Sequence, residues 1–462
     1  MFKRGVRLVR STKRTADTYV SEIPGLLPAL AVLYTTLVVG TAVYMDAVSF
    51  PAEAFPIEPP GVPVLVFIYV FSLLPLVPMR WGVPRPSYVV IWYVYFVVYV
   101  PCVAMMFLPF GYAANQIPPI LVVFGSMILL SLHDRWPYVT VSPGIGDIGE
   151  RLGAARRTVL WLVVLLASLG VLFVIHSYVG LRFEIHGLSE IYVARDWFSA
   201  QIASLSGLET RLVTYSIRWF YLVLMPTFLA VGIVYRDARS VVFGVTGLLL
   251  VYSLTGYKSA LFLPAGLGFV WFCLEGDQRL FPVYTLAGIC SFVAGAVAAY
   301  AVAGLVRPLV LVRRFVLTPG IHLSYYFEYF RDKPLVLVSD RIFGRPFFEY
   351  PFDLSVPYLI GRHYFGDPTR SVNANLWARG FAAFDLAGIA LFTLLFVGLL
   401  WLYDSASRGV DLRITGAMLT GYVITFENSD PIVAILTNGF AFLLVVAVLL
   451  PRPDLSPRIP GS

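Results

Sequence analysis

Long apolar runs, each ended by a short polar or charged break, recur along almost the whole chain. They fall at about 25–45, 61–79, 87–109, 117–132, 158–179, 213–234, 241–255, 259–274, 281–306, 380–403, 413–426 and 432–450. A bilayer core takes about 20 apolar residues per helix. The pattern therefore predicts an all-α polytopic membrane protein with about twelve transmembrane helices, of which 241–255, 259–274 and 413–426 are the shortest candidates. No internal repeat or low-complexity segment is visible, so the expected organisation is a single integral membrane domain over 1–462.

The polar breaks carry the orientation. Residues 1–20 hold Lys3, Arg4, Arg7, Arg10, Lys13 and Arg14, and the next loop, 46–60, holds Asp46, Glu53 and Glu58 with no base. Excess Lys and Arg marks cytoplasmic segments. Alternation then places Arg80, Arg85, Arg135, Arg151, Arg156, Arg157, Arg236, Arg239, Arg279, Arg408, Arg413, Arg452 and Arg458 inside. Only Arg182, Arg195, Arg211 and Lys258 fall in the short outer loops. The tails 1–20 and 451–462 both read as cytoplasmic. The first tail is polar and basic and the run behind it is long enough to span, so it reads as a first membrane helix rather than a cleavable signal. One segment departs from the pattern. The outer loop 307–379 contains nine arginines and Lys333. Long loops cross regardless of charge, so the topology stands, but these bases need a reason other than orientation. This loop and the shorter outer loop 180–212 are the places to build an extramembrane site.

Composition agrees. Of 462 residues, 58% are hydrophobic and 13% charged, about half the charge of a soluble domain. A net charge of +7 in so apolar a chain reads as topology and headgroup contact, not nucleic-acid binding. Cys102, Cys273 and Cys290 lie in apolar runs without metal-ligand spacing, so they read as core residues, and no metal site is expected.

Within the long loop, Arg313-Arg314-Phe-Val-Leu-Thr318-Pro319-Gly320 is followed by His322 and the aromatic run Tyr325 to Phe330. Thr is a good N-cap and Pro a good first helical residue. The spelling predicts a helix starting at Pro319, whose free N–H groups lie beside two arginines and form an anion site. Headgroup contact fits the same arginines. His322, in the first turn, suits a general base near neutral pH. An interfacial histidine in an aromatic belt fits equally. Tyr325, Tyr326 and Tyr329 follow on its helical face. Glu328 and Asp332, at i and i+4, read as a solvated or Arg331-paired face.

Lys258 lies in a tight hairpin, Thr255-Gly256-Tyr257-Lys258-Ser259, where it either snorkels or joins the anion site. Asn375, Trp377 and Arg379 close the long loop and serve either a polyhydroxylated ligand or the start of the next helix. Glu427-Asn428-Ser429-Asp430 and Thr437-Asn438-Gly439 either line the same cavity or are plain turns. There is no P-loop, GxGxxG, HExxH, GxSxG or CxxC. No Asp-x-Asp stands in the first outer loop.

In order and spacing these segments resemble the oligosaccharide repeat-unit polymerases of the O-antigen polymerase type. The resemblance rests on Gly187-Leu188-Ser189 with Tyr192-Val-Ala-Arg195, on Thr255 to Ser259, and on Arg313-Arg314-Phe315 with Pro319 and the Tyr-Tyr-Phe segment. It continues in Asn375-x-Trp377-Ala378-x-Gly380-Phe381-Ala382-x-Phe384 and ends at Thr437-Asn438-Gly439. It spans roughly 185–440. Asp385 stands where many such proteins have glycine after the phenylalanine, a change expected only to alter a helix start. The resemblance implies a GT-C-like membrane glycosyltransferase without cofactor or metal. Such enzymes move a growing glycan from its polyprenyl (undecaprenyl) diphosphate onto the next lipid-linked unit, on the outer face of the cytoplasmic membrane. Implied partners are the lipid-linked donor and acceptor, the bilayer, a chain-length regulator and a flippase. Negative charge then builds on a lipid-diphosphate leaving group, and Lys258, Arg313, Arg314 and Arg379 are the cations available to meet it. His322, with Glu328 second, is the expected base. Arg195, Tyr325, Tyr326, Asn375 and Trp377 are the expected substrate contacts. A transporter or flippase of lipid-linked sugars and an O-antigen-ligase-like transferase are the alternatives.

Overall fold

The computed structural model describes residues 17, 20, 23, 25–48, 59–108, 116–139, 155–184, 187, 190–341 and 344–452. The tails 1–16 and 453–462, most of the first outer loop, Arg151, and Leu188 and Ser189 lie outside the described residues. The described residues form helices and connections without strands.

In chain order the helices are α1 (Leu26–Ala47), α2 (Val62–Leu73), α3 (Tyr88–Met105), α4 (Ile117–Leu132), α5 (Ala155–Tyr178), α6 (Ile191–Ala203), α7 (Gly207–Tyr235), α8 (Ala238–Thr255), α9 (Lys258–Leu274) and α10 (Phe281–Ala303). Then come α11 (306–330), α12 (Val356–Phe365), α13 (Leu376–Ala406), α14 (Leu412–Met418), α15 (Thr420–Asn428), α16 (Pro431–Ile435) and α17 (Phe440–Leu449). Among the described residues, eight helices are long and apolar enough to cross a membrane: Leu26–Ala47, Tyr88–Met105, Ile117–Arg135, Thr158–Tyr178, Gly207–Tyr235, Ala238–Thr255, Gln278–Ala303 and Leu376–Ala406. The remaining apolar runs are helical but shorter: Val62–Leu76, Lys258–Leu274 and Phe440–Leu449. The run 413–426 is divided between α14 and α15. The protein is an all-α membrane protein.

Local chemistry sets the helix ends. Ser206 and Glu209 form a reciprocal capping box that starts α7. Gly256, at φ 64°, ends α8 in the left-handed conformation and turns the chain into α9 within two residues. The bundle is layered around α3, 89% of whose span is buried, against 28% for the span Thr158–Tyr178. On the latter, Leu162, Leu166, Leu169 and Phe173 form an exposed apolar stripe. Such a stripe on the outside of a bundle suits lipid, not water.

Three spans are tied at one end. Asp404, near the end of α13, accepts from Ser87 N (3.0 Å) and Ser87 Oγ (2.7 Å) at the start of α3. His133, just past α4, places Nε2 2.9 Å from the same carboxylate, and neither side chain is exposed. Beside them Tyr88 Oη donates to Asp134 (2.9 Å), which Arg80 also meets at 2.7 Å.

At the other end α13 breaks at Phe384 and Asp385, where Asp385 takes φ 56° and ψ −144°. The break lies inside the helix, not at its start, so the departure from the glycine of similar proteins falls on a backbone conformation that glycine adopts freely. Two carbonyls freed by the break, Ala382 and Ala383, accept from Val336 N (2.9 Å) and Leu337 N (3.0 Å). The chain of the long loop 307–379 is thereby fastened onto α13. That loop holds α11 and α12, and 180–212 holds α6.

Candidate functional site

The segment that carries Arg313 and Arg314 is a π turn, Arg313–Leu317, inside a continuous helix from Val306 to Phe330. No helix starts at Pro319, contrary to the sequence expectation. Proline lacks an N–H and its ring crowds the carbonyl four residues back. Here the turn before it is widened, and Thr318 Oγ1 donates to the Arg313 carbonyl at 3.0 Å. There is consequently no helix N-terminus at the arginines, and their guanidinium groups alone supply positive charge. Wide turns of this kind recur at functional sites. Gly320 serves packing instead. A Cβ there would stand 2.4 Å from the Pro101 carbonyl oxygen, so glycine lets α11 approach α3. α3 has its own π turn, Val94–Tyr99, which packs against that of α11.

His322 lies two turns beyond the arginines. Its Nδ1 is 2.6 Å from the Asn373 carbonyl oxygen, so Nδ1 carries the hydrogen and Nε2 presents a lone pair. Burial pushes its pKa down to about 4; the Asn373 bond pulls upward, and the charges of Arg313 and Arg314 press down further. The structure thus brings Arg313, Arg314 and His322 together. At neutral pH the imidazole is neutral, an acceptor of hydrogen bonds but a weak base.

Tyr325 is buried with its ring 3.9 Å from that of Tyr364 on α12, and the Arg313 charge acts on it. Tyr364 Oη donates to Glu328 Oε2 at 3.0 Å. Glu328 is thus engaged by a tyrosine that nothing in the spelling of the chain singles out. Tyr326 is fully buried, its hydroxyl donating to the Val372 carbonyl at 2.9 Å. It anchors α11 to the end of the long loop instead of facing a ligand.

Three further expected ligand contacts are engaged within the protein. Asn375 is buried and caps α13, its Oδ1 accepting from Trp377 N (3.1 Å) and Ala378 N (3.2 Å). Trp377 is fully buried, its Nε1 donating to Thr393 Oγ1 at 3.2 Å. Arg379 is no isolated cation: it binds Asp340 at 2.5 Å and Asp430 at 3.6 Å. Arg341 bridges the same two acids, reaching Asp340 at 3.2 Å and also bonding Asp430. Two arginines and two aspartates close a neutral ring that fixes the long loop between α13 and α16. The sequence shows each of these charges but not that they pair across the fold.

Lys258 and Arg195 share a ring. The Lys258 ammonium and the Arg195 guanidinium each lie 5.8 Å from the centre of Tyr192. The buried Arg195 Nε has no hydrogen-bond partner. Arg218 Nη1 donates to Asn438 Oδ1 at 2.8 Å, and the Trp219 ring lies against Gly439. Both contacts account for Thr437-Asn438-Gly439 as packing at the α7–α17 junction.

Glu427 in the last turn of α15 is 7% exposed. Burial raises its pKa to about 8, while the Arg314 charge acts in the opposite direction. The cluster read as either a cavity lining or a plain turn therefore contributes a carboxyl on which the Arg314 charge acts. Comparison with family models, curated proteins and solved structures finds no match for the chain.

Proposed function

We propose that this protein is a membrane glycosyltransferase that polymerises polyprenyl-diphosphate-linked oligosaccharide repeat units on the outer face of the cytoplasmic membrane. In this reading the shorter apolar helices complete a twelve-span, GT-C-like bundle with both termini inside. The observation that carries it is the adjacent Arg313 and Arg314 on a π turn, sharing their field with a neutral His322 and a buried Glu427. A diphosphate leaving group gains negative charge as the glycosidic bond breaks, and doubled guanidinium groups meet that charge without a metal. His322 accepts a hydrogen bond through Nε2 from a sugar hydroxyl next to the reacting one. Tyr364, half-buried and backed by the stacked ring of the buried Tyr325, gives a flat wall for a sugar ring. Lys258 and Arg195 form a second cationic patch for a lipid-linked partner, whereas Arg379 holds the loop that frames the site.

The test is a pair of variants, Arg313→Ala and Arg314→Ala, expressed in the source cells. Each is expected to abolish long-chain polysaccharide at unchanged protein level. Lipid-linked repeat units should then accumulate on the outer leaflet. Unchanged chain-length ladders in both variants refute the reading, and accumulation on the inner leaflet points to a flippase.

A further inference from the structure

Each of the other acids near the arginine pair already has a partner. Asp340 and Asp430 are matched by Arg341 and Arg379, and Glu328 accepts from Tyr364. Glu427 differs. Only 7% of it is exposed, and it makes no hydrogen bond or ion pair among the described residues. A carboxyl so largely buried without a partner costs stability, and a protein keeps such a group where it has work to do. Its helix, α15, packs against the π turn of α3, and that turn packs against the π turn of α11 that bears Arg313 and Arg314. The helix of Glu427 and the two widened turns are thus packed one on the next, and the Arg314 charge reaches Glu427.

The other titratable groups on elements around α15 are accounted for. On α3, Tyr88 donates to the Ser131 carbonyl and Asp134, Tyr95 and Tyr99 donate to the Ser72 and Phe71 carbonyls, and the Tyr93 ring packs edge-on to Phe281. Arg379 on α13 and Asp430 before α16 belong to the neutral ring. Arg413 on α14 is paired with Asp411 and Glu275. Tyr403 and Asp404 belong to the end of α13 beyond its break, and Asp385 is exposed. Lys258 on α9 is drawn to the Tyr192 ring, and Tyr422, nearer the start of α15, donates to the Asn438 carbonyl. The charge that acts on Glu427 is that of Arg314.

We propose that Glu427 is the proton acceptor of the transfer. Its carboxylate takes the proton of the acceptor sugar hydroxyl as that oxygen bonds to the anomeric carbon. The electron pair of the breaking anomeric C–O bond leaves with the lipid diphosphate, whose charge Arg313 and Arg314 meet. The proton then passes from Glu427 to water. This rests on the transferase reading and names the base within it. His322, held neutral with a low pKa, holds a neighbouring sugar hydroxyl and leaves the acceptor proton to Glu427. Arg314 links the two halves of the reaction. While its charge faces Glu427 alone it weakens the base, and when a diphosphate engages it that restraint is shared and the carboxylate becomes more basic.

The experiment measures initial rates of glycan transfer by purified full-length protein in lipid nanodiscs, from pH 6 to 9, for wild type, Glu427→Gln, Glu427→Asp and Arg313→Ala. The wild-type rate is expected to rise with pH through about 8. Glu427→Gln is expected to lose about 10²–10⁴-fold, and Glu427→Asp to retain part of the activity with a displaced pH profile. Glu427→Gln within threefold of wild type, with Arg313→Ala inactive, overturns the assignment and leaves the transferase reading standing. Full activity in both overturns both. If Glu427→Gln does not fold, the wild-type profile decides alone: a rate flat from pH 6 to 9 overturns the assignment.

Discussion

Replacing Asp404 with alanine strikes the tie between α3, α4 and α13. The carboxylate accepts from Ser87 N, Ser87 Oγ and His133 Nε2 at 3.0, 2.7 and 2.9 Å. The paired side chains of Asp404 and His133 have no exposed surface. No discount for solvent applies, so breaking the pair costs about 3–5 kcal/mol. Each orphaned donor alone is worth about 1–3 kcal/mol, and they act as one unit rather than adding. Asp404→Asn keeps one acceptor oxygen toward Ser87 and should cost less than half as much. The assay is unfolding in mild detergent, followed by tryptophan fluorescence against denaturant. Asp404→Ala should lower the midpoint strongly, and Ser87→Ala in that background should then add little. A loss below about 1 kcal/mol for Asp404→Ala, or full additivity with Ser87→Ala, contradicts the reasoning.

Three other outcomes follow from the same physics. Arg379→Met should destabilise by about 2–3 kcal/mol, short of a full buried-pair loss because Arg341 still bridges both acids; combined with Asp340→Asn, a double-mutant cycle should show coupling of about 1 kcal/mol or more. Asp385→Gly should stabilise by about 1 kcal/mol by relieving a backbone held at φ 56°, read as a raised unfolding midpoint. Gly320→Ala should cost about 1–3 kcal/mol, because the added methyl meets the Pro101 carbonyl; the same midpoint checks it, and no change means that α11 does not approach α3 so closely.

The sequence made the membrane character legible because a bilayer span needs nothing but length and apolarity. Among the described residues each apolar run named from the sequence is largely helical, though 432–450 is divided between α16 and α17. Its internal breaks were less visible. The run 413–426 carries no proline, yet the chain divides there into α14 and α15. The break at Asp385 has no glycine to announce it. The Arg-Arg doublet and His322 were found as neighbours because one helical segment carries all three. The roles of Arg379, Asn375 and Trp377 were not readable, since a charge or amide at a helix start looks the same whether it meets a ligand or the protein's own backbone. Asp340 and Asp430 decide the case of Arg379, from 39 residues before it and 51 after it in the numbering of the chain. The Thr-Pro pair misled for a definite reason: the same two residues that begin a helix also fit a widened turn within one.

The central claim is chemical, and its most direct measurement is stoichiometric. Purified protein in nanodiscs is given a defined polyprenyl-diphosphate oligosaccharide, and new glycosidic linkages and free polyprenyl diphosphate are counted in the same reaction. One lipid diphosphate released per linkage formed, with both lost in Arg313→Ala and Arg314→Ala, is the predicted result. Linkages formed at the wild-type rate by both variants, or no linkage formed by the folded wild-type protein, would contradict it.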